Sequence, residues 1–153
     1  MKRSFRLVTW LVVLGFGAVL LGCRMSKPPI LGTAAGRLLP CPDSPNCVGS
    51  QDPEADHQIA PLAFTGPGPA ALARLKSVVL AQPRTRITEE QAGYMRAEFT
   101  SRIFRFVDDV EFLLDEPAKV IHVRSASRVG KSDLGVNRKR VEHLREVFAA
   151  TKG

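Results

Sequence analysis

The sequence predicts an α+β domain: a four-stranded antiparallel sheet with two helices, about residues 69–82 and 137–150, packed on one of its faces. Three observations predict it. Apolar residues recur at helical spacing in those two stretches, and four segments between them alternate apolar and polar side chains. The element order, helix then strands then helix, is that of a two-layer fold in which helices cover one side of a sheet. Hydrophobic residues are 44% and charged residues 24% of the 153, which suits one globular core and excludes a disordered or collagen-like chain.

In the first helix Pro69 occupies the tolerated first turn, and Leu72, Leu75 and Val79 form the buried stripe. Arg84–Glu89 follows as a short β-branched strand, then the turn Gln91-Ala92-Gly93. In Tyr94–Thr100 the residues Met95, Ala97 and Phe99 alternate with Arg96 and Glu98, the pattern of a half-buried hairpin. Residues 103–114 continue it, with Phe104, Phe106, Val110, Phe112 and Leu114 on one parity and Arg105, Asp109 and Glu111 on the other. Asp108 is a carboxylate on the apolar face and a candidate buried polar group.

Asp115-Glu116-Pro117-Ala118 reads as a loop and Lys119–Ser127 as the next strand. Pairing Leu114 with Lys119 sets Ile121 opposite Phe112, Val123 opposite Val110, Arg124 opposite Asp109, His122 opposite Glu111 and Ser125 opposite Asp108. Apolar and charged faces then coincide on both strands, Asp108 gains a hydroxyl partner, and Asp109 is solvated against Arg124. In the last helix, Val141, Leu144 and Phe148 form the stripe, Asn137 is the expected N-cap and Val136 a staple onto Val141.

The chain begins with Lys2, Arg3 and Arg6 followed by an uncharged apolar run, Leu7–Leu21, which is an export signal. Its 15 residues fall short of the roughly 20 that span a bilayer, so cleavage is preferred over an uncleaved anchor. Leu20-Leu21-Gly22-Cys23 resembles the lipobox of bacterial lipoproteins, in which the cysteine is acylated and becomes the new N-terminus; Leu21 is bulkier than usual there. The expected organisation is a lipoprotein signal peptide over 1–22, a Pro- and Gly-rich tether over 23–39 and a single globular domain over 40–151. This implies a protein of the bacterial cell envelope, held in a membrane by acyl chains such as palmitate on Cys23 and facing the periplasm or the cell exterior. Three of the 22 basic residues lie in the signal, leaving 19 against 15 acids, a net +4 that does not call for nucleic acid as a partner.

Outside the cytoplasm Cys41 and Cys47 are the two thiols of the folded part, joined by the turn-forming spacer Pro-Asp-Ser-Pro-Asn, and a disulfide is the expectation. A nucleophilic Cys47 is the weaker alternative. His57, His122 and His143 are scattered with no metal-ligand spacing, so no metal is expected, and no cofactor motif is present. Neighbouring carboxylates Asp108 and Asp109 point to opposite faces of a strand and do not converge as an acid–base pair.

The segment 124–140 holds Arg124, Arg128, Lys131, Arg138, Lys139 and Arg140 against one acid, Asp133. Arg124, Ser125, Ser127, Arg128, Ser132, Asn137 and Arg138 are its candidate anion or ligand-binding residues, near a helix start whose N–H groups favour anions. The competing reading turns these arginines inward onto the protein's own carbonyls and carboxylates. No nucleophile, base and orienter converge, so no catalytic residue is assigned. The favoured class is a non-enzymatic lipoprotein that binds a lipid, an anionic small molecule or an envelope component. The alternative is a hydrolase or transferase acting on envelope material through Asp108, His122 and the arginine loop.

Three stretches in order, "CPDSPNCVGSQ", "FVDDVEF" and "VRSASRVGKSDLGVNRKRVEHL", resemble the family known as domain of unknown function 1499 over about residues 38–148. Gly49 departs from it, a serine being common there. The resemblance implies no transferable activity; the family includes exported and membrane-associated proteins.

Overall fold

The computed structural model describes residues 30–151; the expected signal peptide and Cys23 lie outside the described residues. In chain order the elements are β1 (Thr33–Ala34), β2 (Arg37–Leu38), β3 (Cys47–Gly49), a 3-10 turn (Ala55–His57), β4 (Leu62–Ala63), α1 (Gly68–Leu80), β5 (Thr85–Gln91), β6 (Tyr94–Thr100), β7 (Val107–Asp115), β8 (Val120–Ser127) and α2 (Val136–Ala150). Among these, no helix is long and apolar enough to cross a membrane.

The sheet has six antiparallel strands, not the four expected, and β1 and β2 pair separately as a small hairpin. The central order is β3-β8-β7-β6-β5. The free edge of β8 is shared: β3 pairs along Arg124–Ala126 and β4 along Val120–Ile121. The two additional strands are two and three residues long, too short to show alternation, and they add to β8 only once the chain has folded back.

Both helices cover one face. Ala71, Leu75, Val78 and Val79 of α1 and Val141, Leu144 and Phe148 of α2 bury against Met95, Ala97, Val110, Phe112, Ile121 and Val123. The Arg74 guanidinium lies 4.4 Å from the centroid of Phe148, closing the junction of the helices by a cation–π contact. Helix α1 starts where the Gly68 N–H donates to Glu116 Oε1 at 2.9 Å. A Cβ on Gly68 would stand 2.9 Å from Leu114 Cδ2, so a larger residue there would have to displace the ends of the Leu114 and Glu116 side chains.

The β7–β8 register is displaced by two residues from the expected one. Asp115 pairs with Val120, which puts Leu114 opposite Ile121, Phe112 opposite Val123, Glu111 opposite Arg124 and Asp108 opposite Ser127. Parity is kept and the partners change. The loop accordingly runs from Glu116 to Lys119, with Lys119 at φ +56°, a left-handed conformation that costs a side-chain-bearing residue roughly 1–2 kcal/mol.

Residues 103–106 are not strand. The Ser101 N–H donates to the Phe106 carbonyl at 2.8 Å and the Phe106 N–H to Ser101 Oγ at 2.9 Å. This closes a loop that leaves Ile103 79%, Phe104 72% and Phe106 51% exposed, where burial of both phenylalanines was expected.

The opposite face of the sheet carries the charged parity, and it is buried rather than solvated: Asp109 is 1%, Glu111 0% and Arg124 3% exposed. The β1–β2 hairpin, within the stretch read as a tether, lies over part of this face. It is hooked there by the Gly32 N–H donating to Glu111 Oε1 at 2.6 Å and by the buried Leu38, whose N–H donates to Gln51 Oε1 at 2.9 Å.

Candidate functional site

The loop from β8 to α2 is held from three sides. Asn46 Nδ2 donates to the Gly130 carbonyl at 2.6 Å and Ser44 Oγ to the Lys131 carbonyl at 3.1 Å, fastening it to the cysteine turn. Asp133 accepts from the N–H groups of Gly135 (3.0 Å) and Asn137 (2.6 Å), so it serves the helix start that Asn137 was expected to cap. Helix α2 begins one residue earlier, after Gly135 at φ +78°.

Asn137 is fully buried in the first turn instead. Its Oδ1 accepts from Ser125 Oγ (2.5 Å) and an Arg140 guanidinium nitrogen (2.5 Å), while its Nδ2 donates to the Asn46 carbonyl and to Ser127 Oγ, both at 2.9 Å. Arg140 also donates to Asp108 at 2.5 Å and stacks 4.9 Å from the Phe99 centroid. The buried Asp108 thus has a guanidinium partner where a serine was expected. Arg140 sits three residues beyond Asn137 on one helix face, the spacing that signals such a pair.

The remaining arginines part company. Arg124 donates to Glu111 Oε2 at 2.8 Å, and Glu111 also accepts the Tyr94 hydroxyl at 2.8 Å. Arg128 forks onto Asp109 (2.7 and 2.8 Å) and reaches Glu98 at 2.5 Å; Arg86 holds the other Glu98 oxygen. Burial raises the Glu98 pKa, but the hydrogen bonds and charges of Arg128 and Arg86 outweigh it and hold the carboxyl below the ordinary value. The hydrogen bond to Asp109 leads in raising Arg128, against the effect of burial. Tyr94 is pushed up first by burial and then by the Glu111 charge.

Arg138 lies apart from both, donating to the carbonyls of Gln58 (2.8 Å) and Asp56 (2.9 Å). Arg124, Arg128 and Arg138 therefore do not face one concavity. The hollow of about 250 Å³ at the start of α2 is lined by Arg138 together with Asp43, Asp56 and Asp133, an acidic rim unsuited to an anion.

A second cleft, about 240 Å³, opens at the same end of the sheet. Its apolar walls are Phe106, Val129 and Val136, with Asp108, Asp133, Ser127 and Ser132 on the polar side. Phe106, Val129 and Val136 are themselves exposed, as are Ile103 and Phe104 next to Phe106 in the chain and Leu134 between Val129 and Val136.

His122 is half-buried, 3.2 Å from Ser50 Oγ and 3.6 Å from Asp115. This alignment resembles a nucleophile, base and acid in order, but Ser50 Oγ already accepts the Val123 N–H at 2.9 Å. None of the clefts beside His57, Gly93 or Phe106 reaches Ser50 or His122. The alignment fastens the end of β3 to β8.

The model of a family described as protein of unknown function (DUF1499) matches residues 37–148. The chain belongs to that family. No curated protein matches the chain. The matched span of this DUF1499 domain runs from β2 to α2 and includes the whole hydrophobic core and the Cys41–Cys47 disulfide, whose sulfurs are 2.02 Å apart.

Proposed function

We propose that the mature chain is a bacterial envelope lipoprotein, acylated at Cys23, whose DUF1499 domain binds anionic membrane lipid without catalysing a reaction. One observation carries the reading. Six of the eight large apolar side chains exposed among the described residues fall in two segments, Ile103, Phe104 and Phe106 with Val129, Leu134 and Val136, that meet at one cleft. Monomeric surfaces seldom concentrate such groups without a partner. Arg102, Arg105 and Lys131 are exposed beside them, a composition that matches an anionic interface where apolar tips enter the acyl region and cations meet phosphates.

Geometry agrees with the anchor. Six residues lie between Cys23 and Ile30, a span of at most about 25 Å of extended chain, so an acylated Cys23 would keep the domain at the bilayer. A small anionic ligand held by the arginine loop is the poorer reading, because Arg124, Arg128 and Arg140 are engaged by the protein's own acids.

The test is co-sedimentation of residues 24–153, which retain the whole core, with vesicles of phosphatidylcholine alone or mixed with phosphatidylglycerol. The chain is expected to pellet with the mixed vesicles, and Phe104→Asp to abolish this at unchanged melting temperature. Wild type remaining in the supernatant with both vesicles would overturn the reading. Intact mass of the mature protein decides acylation of Cys23 separately.

A further inference from the structure

The turn that carries the disulfide gathers a second set of groups from farther along the chain. The Sγ of Cys41, a carboxylate oxygen of Asp52 and a ring nitrogen of His57 lie within 4.8 Å of one another. Asp52 is buried and fixed by backbone donors, taking the Cys41 N–H at 2.6 Å and the Glu54 N–H at 3.0 Å. His57 Nδ1 is buried with no hydrogen-bond partner, 3.6 Å from Asp52 Oδ1. That separation is too long for a hydrogen bond, and a buried ring nitrogen left bare calls for an explanation. A cleft of about 550 Å³ leads to the cluster, and Asp43, Glu54 and Asp56 line it, an entry that attracts cations.

In the oxidised protein the sulfurs are bonded to each other and no thiolate is available. We propose that reduction of Cys41–Cys47 by a dithiol opens a zinc site whose four ligands are the two sulfurs, His57 Nδ1 and one Asp52 oxygen. The chemistry balances. The dithiol loses two electrons and two protons and closes its own S–S bond; the protein disulfide accepts them and becomes two thiols. Zinc then displaces both thiol protons to solvent and binds the thiolates. Reoxidation removes two ligands and expels the ion.

The geometry asks for modest movement. Zinc bonds of about 2.0–2.3 Å place tetrahedral ligand atoms on the order of 3.5 Å apart, so the Cys41, Asp52 and His57 atoms draw together by about an ångström, and the Cys47 sulfur, which is outside that set, parts from Cys41 and turns in as the fourth ligand. Cys41 is half-buried in a surface turn with its N–H held by Asp52, and Cys47 lies in β3, so the adjustment falls on the side-chain torsions of the two cysteines. The backbone donors on Asp52 would orient the carboxylate as outer-shell groups do in zinc sites. Two thiolates, an imidazole and a carboxylate suit a borderline-soft divalent ion better than calcium or magnesium. Sequence spacing hides the site, because Asp52 and His57 follow Cys41 in no recognised pattern.

The experiment is titration of the full chain in detergent with Co²⁺, before and after reduction by a phosphine, followed by displacement with Zn²⁺. The expected result is one equivalent of tetrahedral cobalt with thiolate-to-metal absorption, seen only after reduction and abolished by zinc. His57→Ala should weaken the reduced protein's affinity at least 100-fold without changing the oxidised protein's melting. The Cys41→Ser/Cys47→Ser double variant should not bind, although Cys23 remains. Equal binding by oxidised and reduced protein, or no thiolate absorption, overturns the proposal. A reduced chain that unfolds and binds cobalt through loose thiols would bind equally as His57→Ala, and that result overturns it too.

Discussion

Replacing Arg128 by alanine tests the buried ionic face most directly. Glu98 and Asp109 stand directly opposite each other on β6 and β7, with side chains 9% and 0% exposed, and like charges so placed repel. The Arg128 guanidinium bonds both. Its removal leaves Asp109 buried without a cation and Glu98 with Arg86 alone, whose side chain is 70% exposed and screened. Breaking a buried pair from one side costs about 3–5 kcal/mol. For a domain of this size that corresponds to a fall in Tm on the order of 12–20 °C. The assay is thermal melting by circular dichroism at neutral pH, with and without phosphate. The fall should be the same in both buffers, and the gap to wild type should narrow as pH drops into the carboxylate range, because protonating Glu98 relieves the repulsion that Arg128 no longer offsets. A variant melting within about 2 °C of wild type without phosphate, combined with phosphate stabilisation of wild type alone, would refute the reasoning and restore the loop as an anion site.

Other outcomes follow from the same contacts. Tyr94 is the sole tyrosine, and its raised pKa keeps it neutral in the fold while the unfolded chain ionises near 10; stability should fall above that pH, with phenolate absorbance appearing only as the protein unfolds. Glu98 is held below its ordinary 4.5, so its contribution is complete above that value and is lost as pH falls through the lower folded one; Glu98→Gln should flatten the acid limb of a stability–pH curve. Asn137→Ala leaves the Asn46 carbonyl and two hydroxyls short of partners, and should cost about 2–3 kcal/mol by denaturant titration. Cys41→Ser/Cys47→Ser opens a loop with a sequence separation of 6 and should cost about 2 kcal/mol in the same assay.

The long periodic elements were legible. Both helices lie within two residues of their expected bounds, and β6, β7 and β8 keep the parity read from Met95, Val110 and Ile121. What was not legible depends on tertiary contact. Strands β3 and β4 exist only as additions to β8, and nothing local distinguishes Leu62–Ala63 from loop. Burial of the charged parity was invisible because Asp109 and Glu111 read as solvent-facing until arginines from another strand, and a backbone N–H from Gly32, reach them. The segment 124–140 was singled out by its arginines, yet charge alone does not say which way a guanidinium turns, and three of them turn onto the protein's own acids. Asp52 and His57 carried no signal at all, since their neighbours are set by the chain's path and not by spacing.

The two-residue displacement of β7 on β8 shows what decides a register when apolar pattern does not. Parity is unchanged by a shift of two, so the core face accepts either alignment, and the expected one even paired Arg124 with Asp109. It fails one step farther out. Continued along the strands, it sets Arg128 opposite Arg105 and draws Phe106 and Phe104 into the ladder. In the observed register Arg128 lies beyond the last pair, its N–H donates to the Val107 carbonyl at 3.2 Å, and its guanidinium is free to reach both Asp109 and Glu98. The buried ion pairs therefore select one of two alignments that hydrophobicity leaves nearly equal, a role better attested for buried charge than net stabilisation. Ending the ladder at Val107 has a second effect. It leaves Ile103, Phe104 and Phe106 outside the sheet, so the contacts that fix the register are also those that leave the apolar tip exposed.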